Sequence, residues 1–580
     1  MEIQEETEVV DHHHHVVEET IEVSPELAGV VEAAAAIQIN QEEQPQPIIV
    51  ADVPPSHRHP RSNAPPTEAS PPFFVVIHRP PTPTDSPGLR RVLVTSIRAK
   101  LLSYPISLAF ILFTPFFLYG CDVGLMNAAK EIEKDLKITS LQAGFLAGFM
   151  TRVPGILGAL FAGVTANLIG RKYVALIGSV LYLIGAVTIL FTGEYTTSMA
   201  GRALTGLGIG AGLVIGPVFI AEVAPSKRRA FLTTFPQLLL ILGWAYAWIP
   251  SAHPRWRAKL LISAGPCLVS TLLLACLPDT PCAIITMSGK LEDAEEVMSK
   301  CGVPEGEREA RLGELQTAAK IPIHLVTNEE AINAPSRRRR ITWFLEDPAT
   351  VTGFTGSLLM TAALFVAQEL ALEHKNLQHA GLIFEKHWHT YKASRVAIMV
   401  LVCIKVVGAL VPVFTANASG RRRILLLVSM GATGVFLVAL GGMLLADFRA
   451  RRTTVPFPLY CVVFVGVELS PAIGLGAVPW MHGPEAFPLL IRTPFFGLCV
   501  AVKLGIRQLL TVRLPLLTHS DTLGFGYLLL GGVLAIGFVL CWIFFRDDRT
   551  RKLLVDDTVA HRLWSVLALK DHTRRPLQNV

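Results

Sequence analysis

Thr165-Ala166-Asn167-Leu168-Ile169-Gly170-Arg171-Lys172 returns later in the chain as Thr415-Ala416-Asn417-Ala418-Ser419-Gly420-Arg421-Arg422. Further along each half, Glu222-x-x-Pro225-x-x-x-Arg229 returns as Glu485-x-x-Pro488-x-x-x-Arg492. Each copy follows a long apolar run, and the two motifs keep the same order in both halves. Duplicated hydrophobic helices with matching charged turns at one membrane face predict an architecture that rocks around a central site.

Crossing ~30 Å of hydrocarbon takes about 20 helical residues. Twelve apolar runs of that kind are present, near 104–126, 141–165, 172–192, 197–221, 230–250, 258–277, 350–371, 394–416, 424–446, 456–480, 489–512 and 523–545. Hydrophobic residues make up 51% of the 580 and the mean hydropathy is +0.46, which excludes a soluble globule. The expected fold is an all-α membrane protein of twelve transmembrane helices in two pseudo-symmetric six-helix bundles. The expected domains are an acidic, then proline-rich extension (1–100), a first bundle (101–277), a linker loop (278–349), a second bundle (350–545) and a tail (546–580).

Arg and Lys collect after the second, fourth and eighth runs, at Arg171-Lys172, Lys227-Arg228-Arg229 and Arg421-Arg422-Arg423, and again at Arg337 to Arg340 and Arg546, Arg549 and Arg551. The positive-inside rule makes that face cytoplasmic, with both termini on it, although Arg449, Arg451 and Arg452 run against the bias. The formal net charge of +6 therefore reports topology more than partners. The nine cysteines lack a paired extracellular spacing and read as small packing residues. No basic segment followed by an apolar one opens the chain, so no signal peptide is expected, and the extension is expected to be disordered. The His12–His15 run has no companion Cys or carboxylate, and no metal or cofactor is expected. In the linker, Leu291-Glu292-Asp293-Ala294-Glu295-Glu296-Val297-Met298 has the period of an amphipathic helix lying on the cytoplasmic face.

Several further motifs carry a resemblance. Gly120-Cys121-Asp122-Val123-Gly124 lies in the first run, Gly201-Arg202 opens the fourth, and Ala221-Glu222-Val223-Ala224-Pro225 ends it. Asp135-Leu136-Lys137-Ile138, Leu141-Gln142 and Leu146-Ala147-Gly148 lead into and open the second run. Pro278-Asp279-Thr280-Pro281 follows the sixth, and Gly474-x-Gly476, Trp480 and Glu485 to Arg492 mark the tenth. On these residues the chain resembles the sugar-porter branch of the major facilitator superfamily, and within it the plant polyol and monosaccharide transporters. The resemblance covers roughly residues 100–550, specifically in the first half and thinly in the second.

A carboxylate inside an apolar helix costs about 2.5–3.5 kcal/mol on insertion scales, which singles out Asp122. Burial disfavours a charged acid and a nearby cation favours it, so an acid between the two can exchange a proton. The resemblance implies that Asp122 and Arg202 are the proton-coupling pair; the plainer alternative is a static ion pair. It further implies that Gln237, Gln368 and Trp480 hold the solute, with Lys405 at a position where the polyol branch also carries Lys. Arg171, Glu222, Arg229, Arg421, Glu485 and Arg492 are expected to work an inner gate, arginines bonding carbonyls and carboxylates at helix ends. Asn167 and Asn417 replace an acid of the family pattern and predict a weaker gate network.

The seventh run departs most. Gln368-Glu369-Leu370-Ala371-Leu372-Glu373-His374 stands where the family has Q-Q-x-x-G-I-N, Lys503 takes a family Asn position, and Arg507 and Arg152 add intramembrane charge. Glu369, Glu373, His374 and Lys375 read either as a hydrated cluster that rebuilds the site for another solute, an anionic one included, or as relaxed constraint on a chain that no longer transports. Glu369 and His374 are accordingly counted with the substrate-binding candidates. The expected activity is proton-coupled symport of a polyol or monosaccharide; the alternatives are a facilitative uniporter and a transport-deficient sensor. Nucleotide loops, nucleophile elbows and metal-ligand spacings are missing, so an enzyme is not expected. The expected setting is a bilayer, the plasma membrane or else the vacuolar one, with the chain a monomer and no nucleic-acid partner.

Overall fold

The computed structural model describes residues 105–125, 129–248, 256–288, 290–318, 348–371, 373–388, 391–415, 421–450, 455–489, 491–517 and 520–545. The N-terminal extension with His12–His15, the Arg337–Arg340 run and the C-terminal tail lie outside the described residues. All described residues belong to one compact unit, and among them there are helices but no strands.

The span helices follow the apolar runs. They are α1 (Pro105–Leu125), α2 (Ser140–Ile169), α3 (Arg171–Phe191), α4 (Tyr195–Val223), α5 (Phe235–Trp248) and α6 (Trp256–Cys276). In the second half come α7 (Pro348–Leu370), α8 (Tyr391–Thr415), α9 (Arg421–Ala450), α10 (Phe457–Ile473), α11 (Arg492–Leu517) and α12 (Ser520–Phe544). Among the described residues, 10 helices are long and apolar enough to cross a bilayer. α6 and Pro281–Ser288, bent by 50°, make up to 11, and the apolar stretch Thr355–Leu370 of α7 occupies the remaining expected position. The linker carries the amphipathic helix Leu291–Lys300, as its period predicts, and a second helix, Glu305–Ala318.

The duplication read from the motifs recurs in the packing. α1 lies on α5 as α7 lies on α11; α2 on α4 as α8 on α10; α3 on α4 and α6 as α9 on α10 and α12. The halves meet through α2 against α11 and α5 against α8, two contacts that exchange under the same pseudo-symmetry. Lipid supplies no hydrophobic drive between helices, so close approach depends on small residues. At Gly120 an added Cβ would sit 2.1 Å from the Leu240 carbonyl oxygen of α5. Large apolar side chains such as Phe161, Phe191, Phe414 and Val435 face outward.

Three spans are broken, and the breaks create polar surface inside the bilayer. α2 contains a π-helical turn at Phe145–Phe149. α7 ends at Leu370 and helix resumes at Glu373–Trp388; Asn376 Nδ2 donates to the Ala371 carbonyl (2.9 Å), and Tyr527 of α12 donates to Asn376 Oδ1 (3.1 Å). α10 stops at Ile473, runs through Gly474-Leu475-Gly476-Ala477, and turns helical again at Val478–His482. Ser429 of α9 accepts from the Leu475 amide (2.8 Å) and donates to the Ser470 carbonyl (2.7 Å), so the break is internally satisfied.

Candidate functional site

Between the halves lies a narrow cavity lined by Val123, Gln237, Leu240, Trp244, Gln368, Glu369, Lys503 and Arg507. About 20 Å³ is open to the centre of a water molecule, room for one or two waters. The break in α10 shapes one wall, because it frees the Gly476 carbonyl to accept from Gln368 Nε2 (2.8 Å). Gly476 also has no Cβ to meet Gln237 Nε2, which would lie 2.5 Å away. Gln368 Nε2 reaches Gln237 Oε1 at 3.4 Å, which joins the two halves through a pair of amides. Gln237 Nε2 is buried with no hydrogen-bond partner among the described residues, a donor left over for a solute hydroxyl.

The opposite wall is ionic. Lys503 Nζ forms an ion pair with Glu369 and donates to Gln368 Oε1 at 2.9 Å. Its charge lies 5.6 Å over the Trp480 ring and 5.8 Å over Phe365. Arg507 sits 3.7 Å from the Glu369 carboxylate and 5.0 Å over the Tyr119 ring. Trp480 is fully buried beneath this pair, edge-on to Phe116 and Phe365, and forms a floor below the cavity rather than part of its lining. Glu369 turns toward α11; the side chains of Glu373, His374 and Lys375 lie outside the described residues.

Lys405 is not at the solute cavity. It is completely buried, 2.9 Å from Glu468 Oε2 of α10 and 4.8 Å over the Trp244 ring, so Trp244 separates it from the lining. Lys405, expected among the substrate contacts, does not line this cavity. Its partner had a readable signal, since an acid inside the tenth run needs a cation as much as Lys405 needs an acid.

Asp122 and Arg202 meet in a buried ion pair. Arg202 also donates to the Leu146 (3.3 Å) and Ala147 (3.1 Å) carbonyls, which the π-helical turn of α2 presents. Beside the pair is a second, smaller cavity, with Tyr182, Tyr246 and Ser263 in its lining. Val123 lines the first cavity while Asp122 lines this one, so consecutive residues of α1 face two compartments.

At one end of the helix bundle Arg171 pairs with Glu222 (3.2 Å) and Arg422 with Glu485 (2.6 Å). The second pair corrects the repeat-based assignment. Arg421 is exposed, and Arg422 makes the contact, because one residue along a helix turns a side chain by about 100°. Each ion pair closes within its own half. Across the halves α4 touches the Gly483–Glu485 turn, and charges also interact, Arg229 with Glu485 and Arg492 with Glu222. Arg229 donates to the Ala224 carbonyl (3.3 Å) and Arg492 to the Phe487 carbonyl (3.3 Å), each reaching five residues back. Asp279 of the Pro-Asp-Thr-Pro segment accepts from the Arg171 and Lys172 amides (both 3.1 Å), placing an anion at the N-terminus of α3.

The linker helix Glu305–Ala318 fastens onto this end. Arg311 Nη2 donates to the Ala224 carbonyl (2.8 Å) and pairs with Glu307, which accepts from the Ser226 amide (3.0 Å). Burial works against the Glu307 carboxylate, but the Ser226 hydrogen bonds and the Arg311 charge outweigh it and hold its pKa below the ordinary value. Burial and the nearby Arg229 charge push Arg311 down to about 10.

The profile of the family described as "Sugar (and other) transporter" matches residues 108–553. The chain belongs to this family. It is 26% identical to Polyol transporter 5 of Arabidopsis thaliana over 496 residues, 83% of this chain and 90% of that one. It is 28% identical to Probable polyol transporter 6 of the same plant over 439 residues, 74% and 87% of the two chains. Among solved structures, the proton:xylose symporter XylE bound to 6-bromo-6-deoxy-D-glucose superposes with a TM-score of 0.64 at 18% identity, covering 80% of this chain and 99% of that one. The inward-open xylose transporter XylE from E. coli gives 0.55 at 18% identity, covering 80% and 100%. The fold is thus that of the major facilitator superfamily, and this family member is a multi-pass membrane transporter rather than an enzyme.

Proposed function

We propose that this sugar-transporter family member carries out proton-coupled symport of a polyol or monosaccharide by alternating access. The observation that carries the reading is a buried acid–guanidinium pair, Asp122–Arg202, in its own small cavity next to an amide-lined cavity between the halves. Protonation of Asp122 removes its claim on Arg202. A proton entering down the membrane potential contributes ~2.3 kcal/mol per 100 mV toward accumulating the solute. Gln237 and Gln368 offer donors and acceptors to hydroxyl groups, and Trp244 an apolar wall. The paired ends of α4 and the 483–485 turn close the inner side. We assign the plasma membrane as the site of action, with the vacuolar membrane as the alternative, and a monomer as the working unit.

Uptake of labelled glucose, mannitol and inositol into cells expressing the chain, at two external pH values, tests this. Uptake that rises as external pH falls, and loses that rise in Asp122→Asn, supports symport. Uptake indifferent to pH and to Asp122→Asn points instead to a facilitative uniporter. One feature favours a transport-deficient sensor: the Glu369–Lys503 pair bridges the cavity wall. Absence of uptake of any of the three solutes, with the chain folded in the membrane, would favour it.

A further inference from the structure

The wall ring Trp244 is held by groups that do not themselves line the cavity. It belongs to α5 of the first half, and the Lys405 ammonium 4.8 Å over its ring belongs to α8 of the second. Lys405 is fixed in turn by Glu468 of α10 at 2.9 Å, and all three residues are buried. On the α1 side the ring edge abuts Gly124, where an added Cβ would stand 3.5 Å from Trp244 Cδ1. The indole is thus clamped between a helix of its own half and a charge from the other. A related reach occurs at the second contact between the halves, where Arg152 of α2 donates to Thr511 of α11 (2.8 Å). Under the pseudo-symmetry α2 corresponds to α8 and α11 to α5. Each half therefore sends a buried cation from its second helix onto the fifth helix of its neighbour.

We propose that Lys405, set in place by Glu468, is a positioning residue for solute specificity. It fixes the Trp244 wall, which together with the Gln237 and Gln368 amides sets the length of polyol the cavity accepts. The inference rests on the solute-cavity reading above and extends it to residues behind the wall. Replacing a buried ion pair by well-packed apolar residues is often no loss to stability. Stability alone therefore does not account for Lys405 and Glu468 inside two apolar spans. A desolvated cation over an indole face, by contrast, is among the stronger contacts open to that ring. The cavity has room for only one or two waters, so a small swing of Trp244 alters which carbon chain fits. A bias in opening or closing changes the transport of every solute by the same factor. A displaced wall changes their ratios instead.

Purified full-length protein tests this with erythritol, xylitol, sorbitol and myo-inositol. Kd is read in detergent from solute-dependent thermal stabilisation, and kcat/KM from uptake into proteoliposomes. The parent should bind the best of these solutes at least about tenfold more tightly than the worst, a difference of about 1.4 kcal/mol. Lys405→Met with Glu468→Met removes both charges together and should narrow that spread to within about threefold, in Kd and in kcat/KM alike. Folded Trp244→Leu should narrow it likewise, and adding the paired Met substitutions to it should narrow it no further. Lys405→Arg, which keeps a cation for both partners, should retain most of the spread. A spread that survives in the folded double Met or Trp244→Leu protein overturns the proposal, as does a parent that binds all the solutes equally. A uniform loss across the solutes also overturns it, being the mark of a merely structural or gating pair. The expected pattern in Kd without any uptake supports the positioning role and overturns the transporter reading alone. Uptake with an unaltered spread in the variants does the reverse.

Discussion

Glu369 on α7 and Lys503 on α11 are ion-pair partners buried between their helices. They are also the two positions, on separate helices, at which the sequence replaces neutral amides of the sugar-porter pattern with charge. In this structure the two departures meet as a single ion pair. Breaking such a buried pair from one side leaves an uncompensated charge, which costs about 3–5 kcal/mol, whereas replacing both partners is close to neutral. Glu369→Gln should destabilise the purified protein by about that much; Lys503→Asn should cost less, because Arg507 remains 3.7 Å from the Glu369 carboxylate, and the double variant should lose less than the sum of the two. Unfolding of the three variants in detergent checks this; losses that simply add would show that the pair is not coupled.

The Asp122–Arg202 pair predicts a separation between driven and exchange transport. Asp122→Asn keeps the side-chain shape but cannot release a proton at neutral pH. Accumulation at acidic external pH should be lost, while exchange of labelled for unlabelled solute across the membrane persists. Counterflow and net uptake measured on the same vesicles check it, and equal loss of both would place Asp122 in solute binding or folding instead.

The inner-gate arrangement provides its own reporter. Cys282 is buried beneath Arg171, whose Nη2 lies 3.5 Å from its sulfur. In a background with the other cysteines replaced, Arg171→Ala should raise labelling of Cys282 by a cytoplasmic thiol reagent several-fold. In the second half, Arg422→Ala should shift transport toward the inward-open state, whereas Arg421→Ala, altering an exposed side chain, should not. Equal effects at 421 and 422 would contradict the one-residue offset seen here.

The linker latch has a defined pH behaviour. The lowered pKa of Glu307 means that its contribution is complete above the ordinary carboxylate value, about 4.3, and is lost only as pH falls through the depressed one. Hydrogen-exchange protection around Ser226 should therefore be flat across the neutral range after correction for intrinsic exchange. Glu307→Gln should reduce that protection at every neutral pH. A protection step near neutrality in the parent protein would point to another titrating group.

The twelve-run pattern and the paired motifs made the architecture legible, because the bilayer leaves the backbone few options and the duplication appears directly in the residues. Asp122 stood out as an acid in an apolar run, and Arg202 was readable as its partner through the resemblance to the sugar porters. What the sequence did not disclose was set by rotation and pairing across helices. Arg422 replaces Arg421 through a one-residue turn, Lys405 belongs to Glu468 behind Trp244, and Glu369 pairs with Lys503 of α11. Lys503 and Arg507 stood out as anomalies of the eleventh run, but only the fold brings them to one wall with Gln237 and Gln368. The linker contacts of Arg311 and Glu307 had no motif to announce them.

The widened turn at Phe145–Phe149 bears on how cheaply this machine cycles. Arg202 holds two of its exposed carbonyls as well as Asp122. When the acid takes up a proton, the guanidinium is not stranded in hydrocarbon, because the two oxygens remain as a standing berth. Under the proposed coupling, neutralising Asp122 would release one attachment of α1 to α4 without forcing the arginine to seek another, and the irregular coil would lower the toll on each turnover.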